Sequence, residues 1–166
     1  MAKIINSLEA LFVEELKDLY DAEKQLIDAL PKMAEAAHSQ DLKLGFREHL
    51  EQTRRQVERL ERIFLDQGEN PTGKKCTGMQ GIIRESEQLL HEYDVSSDVL
   101  DAALIANAQK AEHYEIASYG TLRTYAEELG FSEAARLLDR TLDEESKTNE
   151  RLTSMAVGHI NLEARK

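Results

Sequence analysis

Residues 101–122, DAALIANAQKAEHYEIASYGTL, contain the clearest structural signal in the chain. Apolar or small side chains recur at alternating intervals of three and four residues, the spacing of one buried face of a bundle helix. The positions that share this spacing are Leu104, Ala108, Ala111, Glu115, Ser118 and Leu122. The pattern predicts a long helix over about residues 98–129 that carries one glutamate on its inner face.

Three further long helices follow from the same spacing elsewhere in the chain. Their predicted ranges are about 7–37, 42–67 and 132–160. Ser7 is a suitable N-cap for the first helix, and Ser97 or Asp98 for the third, because their side-chain oxygens accept hydrogen bonds from helix amides. Gly68 and Gly130 are suited to the turns that end the second and third helices. No segment shows the alternation of a β-strand.

The lengths of the connections predict the topology. Short turns near residues 39 and 130 join two antiparallel helix pairs, whereas residues 68–97 form a long crossover with a short amphipathic helix over about 79–93. One long crossover between two helical hairpins is the ferritin-like connectivity. We therefore predict an all-α, ferritin-like four-helix bundle that forms a single domain over residues 1–166.

Charge and cysteine content narrow the classes of partner. Acidic residues outnumber basic ones 32 to 21, giving a net charge of −11, which disfavours binding to nucleic acid or anionic membranes. No apolar run approaches the ~18–20 residues of a membrane span, and acidic residues begin too early for a secretory signal. The single cysteine, Cys76, is expected to be an inert loop thiol in a reducing compartment. We therefore expect a cytoplasmic protein.

Three helices each place one glutamate in an otherwise apolar seam: Glu23, Glu115 and Glu145. Counting outward from the turns puts all three at one level of the bundle, where Thr53 and Gln56 are the inward residues of the second helix. Buried carboxylates are costly unless they are paired, hydrogen-bonded or bound to metal, and no Lys or Arg shares the predicted seams. A hard cation such as iron or manganese would neutralise them.

Other polar residues near this level are secondary candidates. Glu112 lies one turn before Glu115 and can share its face. His49, on the flank of the second-helix seam, is a nearby candidate together with the two inward polar residues of that helix. Like His113 and His159, however, it is interpreted as structural or exposed rather than as a ligand. The alternative to a metal site is a set of buried glutamates that are hydrogen-bonded and metal-free.

Apolar residues outside the seams predict self-association. They are Leu11, Val13, Ile27, Ile63, Leu65, Ile83, Leu90, Ile105, Ile116 and Val157. Large exposed apolar patches usually mark interfaces, and two-fold dimers are the commonest assembly. We therefore predict a homodimer.

Four segments also resemble a known family. They are LYDAEKQL (19–26), HLEQT (49–53), DAALIANAQKAEHYEIASYGTL (101–122) and TLDEE (141–145). Through them the chain resembles the bacterial YciE/YciF-like proteins over nearly its whole length. The resemblance implies a ferritin-like fold, a homodimer and a link to stress conditions, without an established reaction. The pair Glu112 and Glu115 is also similar to the E-x-x-E of the third helix of rubrerythrin.

The comparison with ferritin-like di-iron enzymes implies a degenerate site. Those enzymes supply E-x-x-H from the second and fourth helices, and the matching positions here are Thr53 to Gln56 and Glu145 to Thr148. Both histidines and one glutamate are absent, and imidazole ligands help to hold and tune iron. We therefore expect one or two metal ions with weak iron or peroxide chemistry, and no full ferroxidase activity. The alternative function is a non-catalytic, dimeric structural or stress protein without metal.

Overall fold

The computed structural model describes residues 4–166, and this part of the chain is entirely helical apart from its turns and loops. The elements are α1 (Leu8–Ala36), α2 (Gln40–Gln67), α3 (Thr77–Glu92), α4 (Ser97–Glu128), α5 (Ser132–Met155), a π-helical turn (Ala156–Ile160) and α6 (Asn161–Ala164). Four long helices and a short helix in the crossover confirm the predicted fold class. The predicted single domain begins at residues 1–3, which lie outside the described residues.

The predicted helix ends are set by local chemistry. Ser7 caps α1 by accepting a 3.1 Å hydrogen bond from the backbone N–H of Ala10. Gly68 ends α2 with φ +67°, and Gly130 follows α4 with φ +75°. Both glycines adopt the left-handed conformation that side chains with a Cβ disfavour, so the chain can reverse there.

Three helices, α2, α3 and α4, begin one or two residues earlier than predicted. α2 begins at Gln40 because the hydroxyl of Ser39 accepts a hydrogen bond from the N–H of Leu42. α4 begins at Ser97 with Ser96 at the N-cap position, in place of the predicted caps one and two residues later. The differences lie at the ends of helices, where periodicity carries little information.

The helices form two antiparallel pairs, α1 with α2 and α4 with α5, as the connection lengths predict. α1 also packs on α4, and α2 packs on α5, which closes the four-helix bundle. α3 packs on α1 and α4, so the crossover helix covers the outer face of these two helices. None of the described helices is long and apolar enough to cross a membrane.

Cys76 fixes the start of α3. It is fully buried at the N-cap of that helix, where its sulfur lies 3.1 Å from the hydroxyl of Tyr114. Its backbone N–H donates a 2.7 Å hydrogen bond to Asp21 of α1. Burial raises the pKa of the thiol to about 11, which keeps it protonated near neutral pH. The thiol is therefore a packing group at a helix start, and the reducing compartment stays a prediction.

The apolar residues behind the dimer prediction differ in exposure, and six of the ten are partly buried. Ile63 and Ile105 belong to the core, with 1% and 2% of their surface exposed. Leu65 and Val157 are 73% and 70% exposed. The interface argument therefore rests on fewer residues than the sequence suggested, and the homodimer stays a prediction.

Candidate metal centre

Four side chains from three helices converge in the bundle core. His49 on α2, Glu112 and Glu115 on α4, and Glu145 on α5 each place one potential ligand atom within 4.8 Å of the others. All four are buried, and none is more than 4% exposed. A metal ion lies about 2.0–2.2 Å from each oxygen or nitrogen ligand, so two ligand atoms on opposite sides of the ion are roughly 4.2 Å apart. A contraction of about half an ångström would therefore let these atoms hold one ion.

Glu23 of α1 borders this group and is fully buried. Its Oε1 accepts a hydrogen bond from the hydroxyl of Tyr119, and its Oε2 has no hydrogen-bond partner. Burial, followed by repulsion from Glu145, raises the pKa of Glu23 to about 8, although the bond from Tyr119 opposes that shift. All four predicted glutamates are thus buried around one part of the core.

The burial of four carboxyl groups close together favours the binding of either protons or metal cations to this cluster. Burial raises the pKa of Glu112 well above its usual range, and the charge of Glu145 adds to this effect. Burial, followed by repulsion from Glu23, has the same effect on the pKa of Glu115. Among the described residues, no Lys or Arg forms an ion pair with any of these four carboxyls. Without a metal, the site can limit its negative charge by retaining protons.

The hydrogen bonding of the cluster is incomplete. Seven buried carboxyl oxygens in the four glutamates lack a hydrogen-bond partner: Glu23 Oε2 and both oxygens of Glu112, Glu115 and Glu145. Nε2 of His49 also lacks one. Buried polar atoms are nearly always satisfied in folded proteins, so such a concentration requires a physical explanation.

His49 occupies the centre of the site. Its Nδ1 lies 3.3 Å from Oε1 of Glu112, and its Nε2 lies 3.4 Å from Oε2 of Glu145. The sequence interpretation placed this residue on a flank, structural or exposed, but only 4% of its surface is exposed. His49 lies four residues before Thr53 and therefore on the same face of α2. That spacing was the available signal, and the long imidazole spans the intervening turn.

The two inward residues predicted on α2 are buried, but their hydrogen bonds point elsewhere. Thr53 donates a 3.0 Å hydrogen bond to the carbonyl oxygen of His49. The amide of Gln56 donates to Glu144 at 3.3 Å, whereas its Oε1 has no partner. The residue of α2 nearest the carboxylates therefore lies one turn earlier than predicted, because His49 reaches along the helix and the Thr53 hydroxyl does not.

Gln52 and Thr148 also face each other where α2 packs against α5. The hydroxyl of Thr148, which donates to the carbonyl oxygen of Glu144 at 3.1 Å, also lies 3.5 Å from Oε1 of Gln52. His49 and Gln52 on α2 thus face Glu145 and Thr148 on α5, so that two i, i+3 pairs oppose each other. The site contains one imidazole, from the residue that the sequence analysis gave only as a secondary candidate. His113 is exposed and His159 is half-buried, as predicted for structural or exposed histidines.

Comparisons with known proteins agree with this architecture. The chain is 44% identical to protein YciF of Escherichia coli (strain K12) over 161 residues, or 96% of each chain. The solved structure of the E. coli stress protein YciF matches with a TM-score of 0.90 and 44% identity, over 95% of this chain and 99% of that one. YcfI from Rhodopseudomonas palustris, whose description suggests a structural role, matches with a TM-score of 0.89 and 44% identity, over 93% and 98% of the two chains.

A more distant structure supports the fold alone. A protein from Xanthomonas campestris pv. campestris is 24% identical and matches with a TM-score of 0.75, over 96% of this chain and 100% of that one. The family described as a domain of unknown function, DUF892, matches residues 7–165. The chain therefore belongs to the DUF892 family, and its resemblance to YciF-like proteins is confirmed.

Proposed function

We propose that this protein binds one or two divalent metal ions, iron or manganese, in the core of its bundle. The ligands are Glu23, Glu112, Glu115 and Glu145, joined by His49. The observation that supports this proposal most directly is the set of seven buried carboxyl oxygens without hydrogen-bond partners. Metal coordination would use those lone pairs and offset the burial and the repulsion that raise the pKa values of Glu23, Glu112 and Glu115.

The donor set favours hard or borderline cations. Carboxylates suit manganese and magnesium, whereas imidazole suits iron, copper and zinc, so a mixed site with one histidine fits iron or manganese. Two divalent cations would balance four ionised carboxylates. A bound iron pair would supply one-electron redox chemistry, while the protein's side chains hold and orient the ions. With one imidazole, we propose weak iron or peroxide chemistry at most, and no full ferroxidase activity.

The biological setting is proposed from relatives and composition. The E. coli relative described as a stress protein is 44% identical, which supports a stress-associated role for this protein. The exposed side chains of Leu65 and Val157 support a homodimer. The net charge of −11 and the single free thiol support a cytoplasmic location, with neither nucleic acid nor membrane as partner.

The experiment is a measurement of metal content on protein purified without added metal, followed by calorimetric titration of metal-free protein with Mn²⁺ and, anaerobically, with Fe²⁺. Glu145→Gln keeps the size of the side chain and removes one charge, so occupancy should fall strongly. Glu51→Gln is the matched control, because Glu51 is exposed on α2 and pairs only with Arg54 among its described contacts. Unchanged occupancy in Glu145→Gln would show that the site is misplaced.

A metal-free structural protein is the second candidate. The hydrogen bond from Tyr119 to Glu23 supports it, because it satisfies one buried carboxyl without a cation. The description of the R. palustris relative points the same way. In this case the purified protein would contain no metal, and neither Mn²⁺ nor Fe²⁺ would raise its melting temperature. Ligands that bind only the folded state raise that temperature, so the two candidates give opposite results.

A further inference from the structure

A pocket between α2 and α5 leads from the surface to the candidate metal centre. Its cavity volume is about 220 Å³. Apolar walls come from Phe46, Leu152 and Met155, and neutral polar groups from Gln52 and Thr148. His49 also lines this cavity and, at 4% exposed, is one of its buried lining residues together with Phe46 and Leu152. The same histidine therefore borders both the pocket and the carboxylate cluster.

The opposite side of His49 is nearly closed. There α3 packs over the site and leaves a void of about 20 Å³, bordered by His49, Glu112 and the apolar side chains of Ile82 and Ile83. A void of that size holds no more than about one water molecule. The α2–α5 pocket is therefore the wider approach to the centre.

Two local features make this pocket more than a packing defect. Its wall carries the amide of Gln52 and the hydroxyl of Thr148 beside His49, whose buried Nε2 lies 3.4 Å from Oε2 of Glu145, so polar groups concentrate at one end of an otherwise apolar cavity. The π-helical turn Ala156–Ile160 begins directly after Met155, which lines the pocket. Single π-helical turns are rare and occur frequently at functional sites.

The charges at the rim are balanced. Lys147 lies 2.5 Å from Asp143, and Arg151 pairs with Glu48 across the α2–α5 contact. All four side chains are exposed, so their fields are also screened by solvent. The rim thus offers little net attraction to an anion, and the interior combines apolar surface with hydroxyl and amide groups.

We propose that this pocket binds a small, uncharged organic molecule with an apolar body and one hydroxyl or similar group. The polar group lies toward His49, and the apolar body lies against Phe46, Leu152 and Met155. The cavity of about 220 Å³ equals roughly seven water volumes, which admits a molecule the size of phenol. The placement of this molecule beside a metal ion rests on the proposed function. The binding of the molecule in the pocket does not depend on that function.

The test uses metal-free full-length protein with methyl-labelled methionine, followed by NMR during titration with phenol. Met155 lines the pocket, whereas Met79 is fully buried and lines neither the pocket nor the small void beside His49; Met33 borders that void. The expected result is a saturable shift of the Met155 methyl signal, with the Met79 signal unmoved. Benzoate, similar in shape but anionic, should bind at least tenfold more weakly. Equal binding of benzoate would overturn the proposed ligand class.

A pair of glycine variants supplies the matched control. A Cβ at Gly45 would lie 3.3 Å from the methyl carbon of Met155, so Gly45→Leu should fill the pocket. A Cβ at Gly81 on α3 would meet nothing within 4 Å. Both changes replace a helical glycine with a good helix former, and at Gly45 the contact is with the flexible end of Met155, which must shift by a few tenths of an ångström. The melting temperatures of both variants check that they fold. Phenol affinity should fall at least tenfold in Gly45→Leu and stay unchanged in Gly81→Leu. Equal phenol binding by the unaltered protein and both variants would overturn the proposal that phenol binds in this pocket.

A second measurement separates this proposal from the metal proposal. In protein loaded with Mn²⁺, the paramagnetic ion should enhance the relaxation of phenol protons, and Gly45→Leu should abolish this effect. If Mn²⁺ does not bind but phenol still shifts Met155, the proposed function fails and the pocket stands. If Mn²⁺ binds but phenol leaves Met155 unshifted, the pocket proposal fails. If both bind without enhanced relaxation, the placement of the ligand beside the centre is wrong.

Discussion

Tyr119 of α4 donates a hydrogen bond to Glu23 of α1, and both side chains are buried. The bond joins helices from different hairpins, and it leaves Oε2 of Glu23 free. Burial and the charge of Glu23 raise the pKa of the phenol well above its usual value, so Tyr119 remains a donor. Tyr119 is therefore more than a core packing residue, because it also orients one carboxylate of the candidate centre.

Tyr119→Phe is predicted to weaken metal binding without abolishing it. The change removes the donor that fixes Glu23, and loss of such an outer partner typically costs about 10–100-fold in metal affinity. Titration with Mn²⁺ measures the effect. Tyr125→Phe is the control, because Tyr125 is a half-buried tyrosine of α4 in the described core that makes no hydrogen bond to the site. Equal affinities in the two variants would contradict an orienting role for Tyr119.

The stability of the metal-free protein is predicted to fall as pH rises from about 5 to 8. Burial holds the pKa of Glu23 at about 8 in the folded state, and the pKa values of Glu112 and Glu115 are raised in the same direction. Unfolded carboxyls titrate near 4.3, so the folded state binds more protons throughout this window. Each such carboxyl can remove up to ~1.4 kcal/mol of unfolding free energy per pH unit.

Urea unfolding of chelator-treated protein at pH 5.5, 7.0 and 8.5 measures this dependence. Glu23→Gln keeps a neutral side chain at every pH, so its stability should depend less steeply on pH. Added Mn²⁺ should stabilise the protein more at pH 8.5 than at pH 5.5, because metal binding displaces protons. A midpoint that is constant or rises across this range in the metal-free protein would contradict the raised pKa values.

Much of the fold was predictable because helix periodicity reports directly which face is buried. Glu23, Glu115 and Glu145 lie in those seams, and all three are buried as the spacing requires. The seam of α4 was less predictable: Tyr119 is buried, whereas Ser118 is only partly so. A straight helix turns about 20° per heptad relative to a strict seven-residue repeat, so an extrapolated seam drifts by one residue over several turns.

The arrangement around α2 was harder to predict. Counting residues from a turn gives the level of each Cα, but it does not give the reach of a side chain. His49 therefore joins carboxylates that the count from the turns placed at the level of Thr53. The pocket beside it depends on how Phe46, Leu152 and Met155 pack between two helices, which no local pattern specifies.

A homodimer is predicted from the exposed apolar side chains. Leu65 lies near the end of α2 and Val157 in the π-helical turn, and both are at least 70% exposed. Light scattering at micromolar concentration should give twice the 18.8 kDa chain mass. Leu65→Glu and Val157→Glu test which patch is involved, and Glu58→Gln on the exposed face of α2 serves as control. A monomer mass for the unaltered protein would contradict the prediction.

Thr148→His is predicted to increase metal affinity and to accelerate aerobic oxidation of Fe²⁺, which should be slow or absent in the unaltered protein. Thr148 lies three residues after Glu145 and beside His49 in the pocket, so a histidine there would complete an E-x-x-H next to the existing imidazole. Its hydroxyl donates a hydrogen bond to the carbonyl oxygen of Glu144 at 3.1 Å, a contact that the helix does not require.

Ser154→His is the matched control, because Ser154 is exposed on the same helix and makes the same kind of bond to Glu150. Absorbance during oxidation compares the three proteins. Rapid multi-turnover oxidation by the unaltered protein would show that one histidine suffices, and equal rates in both variants would show that position 148 does not face the metal.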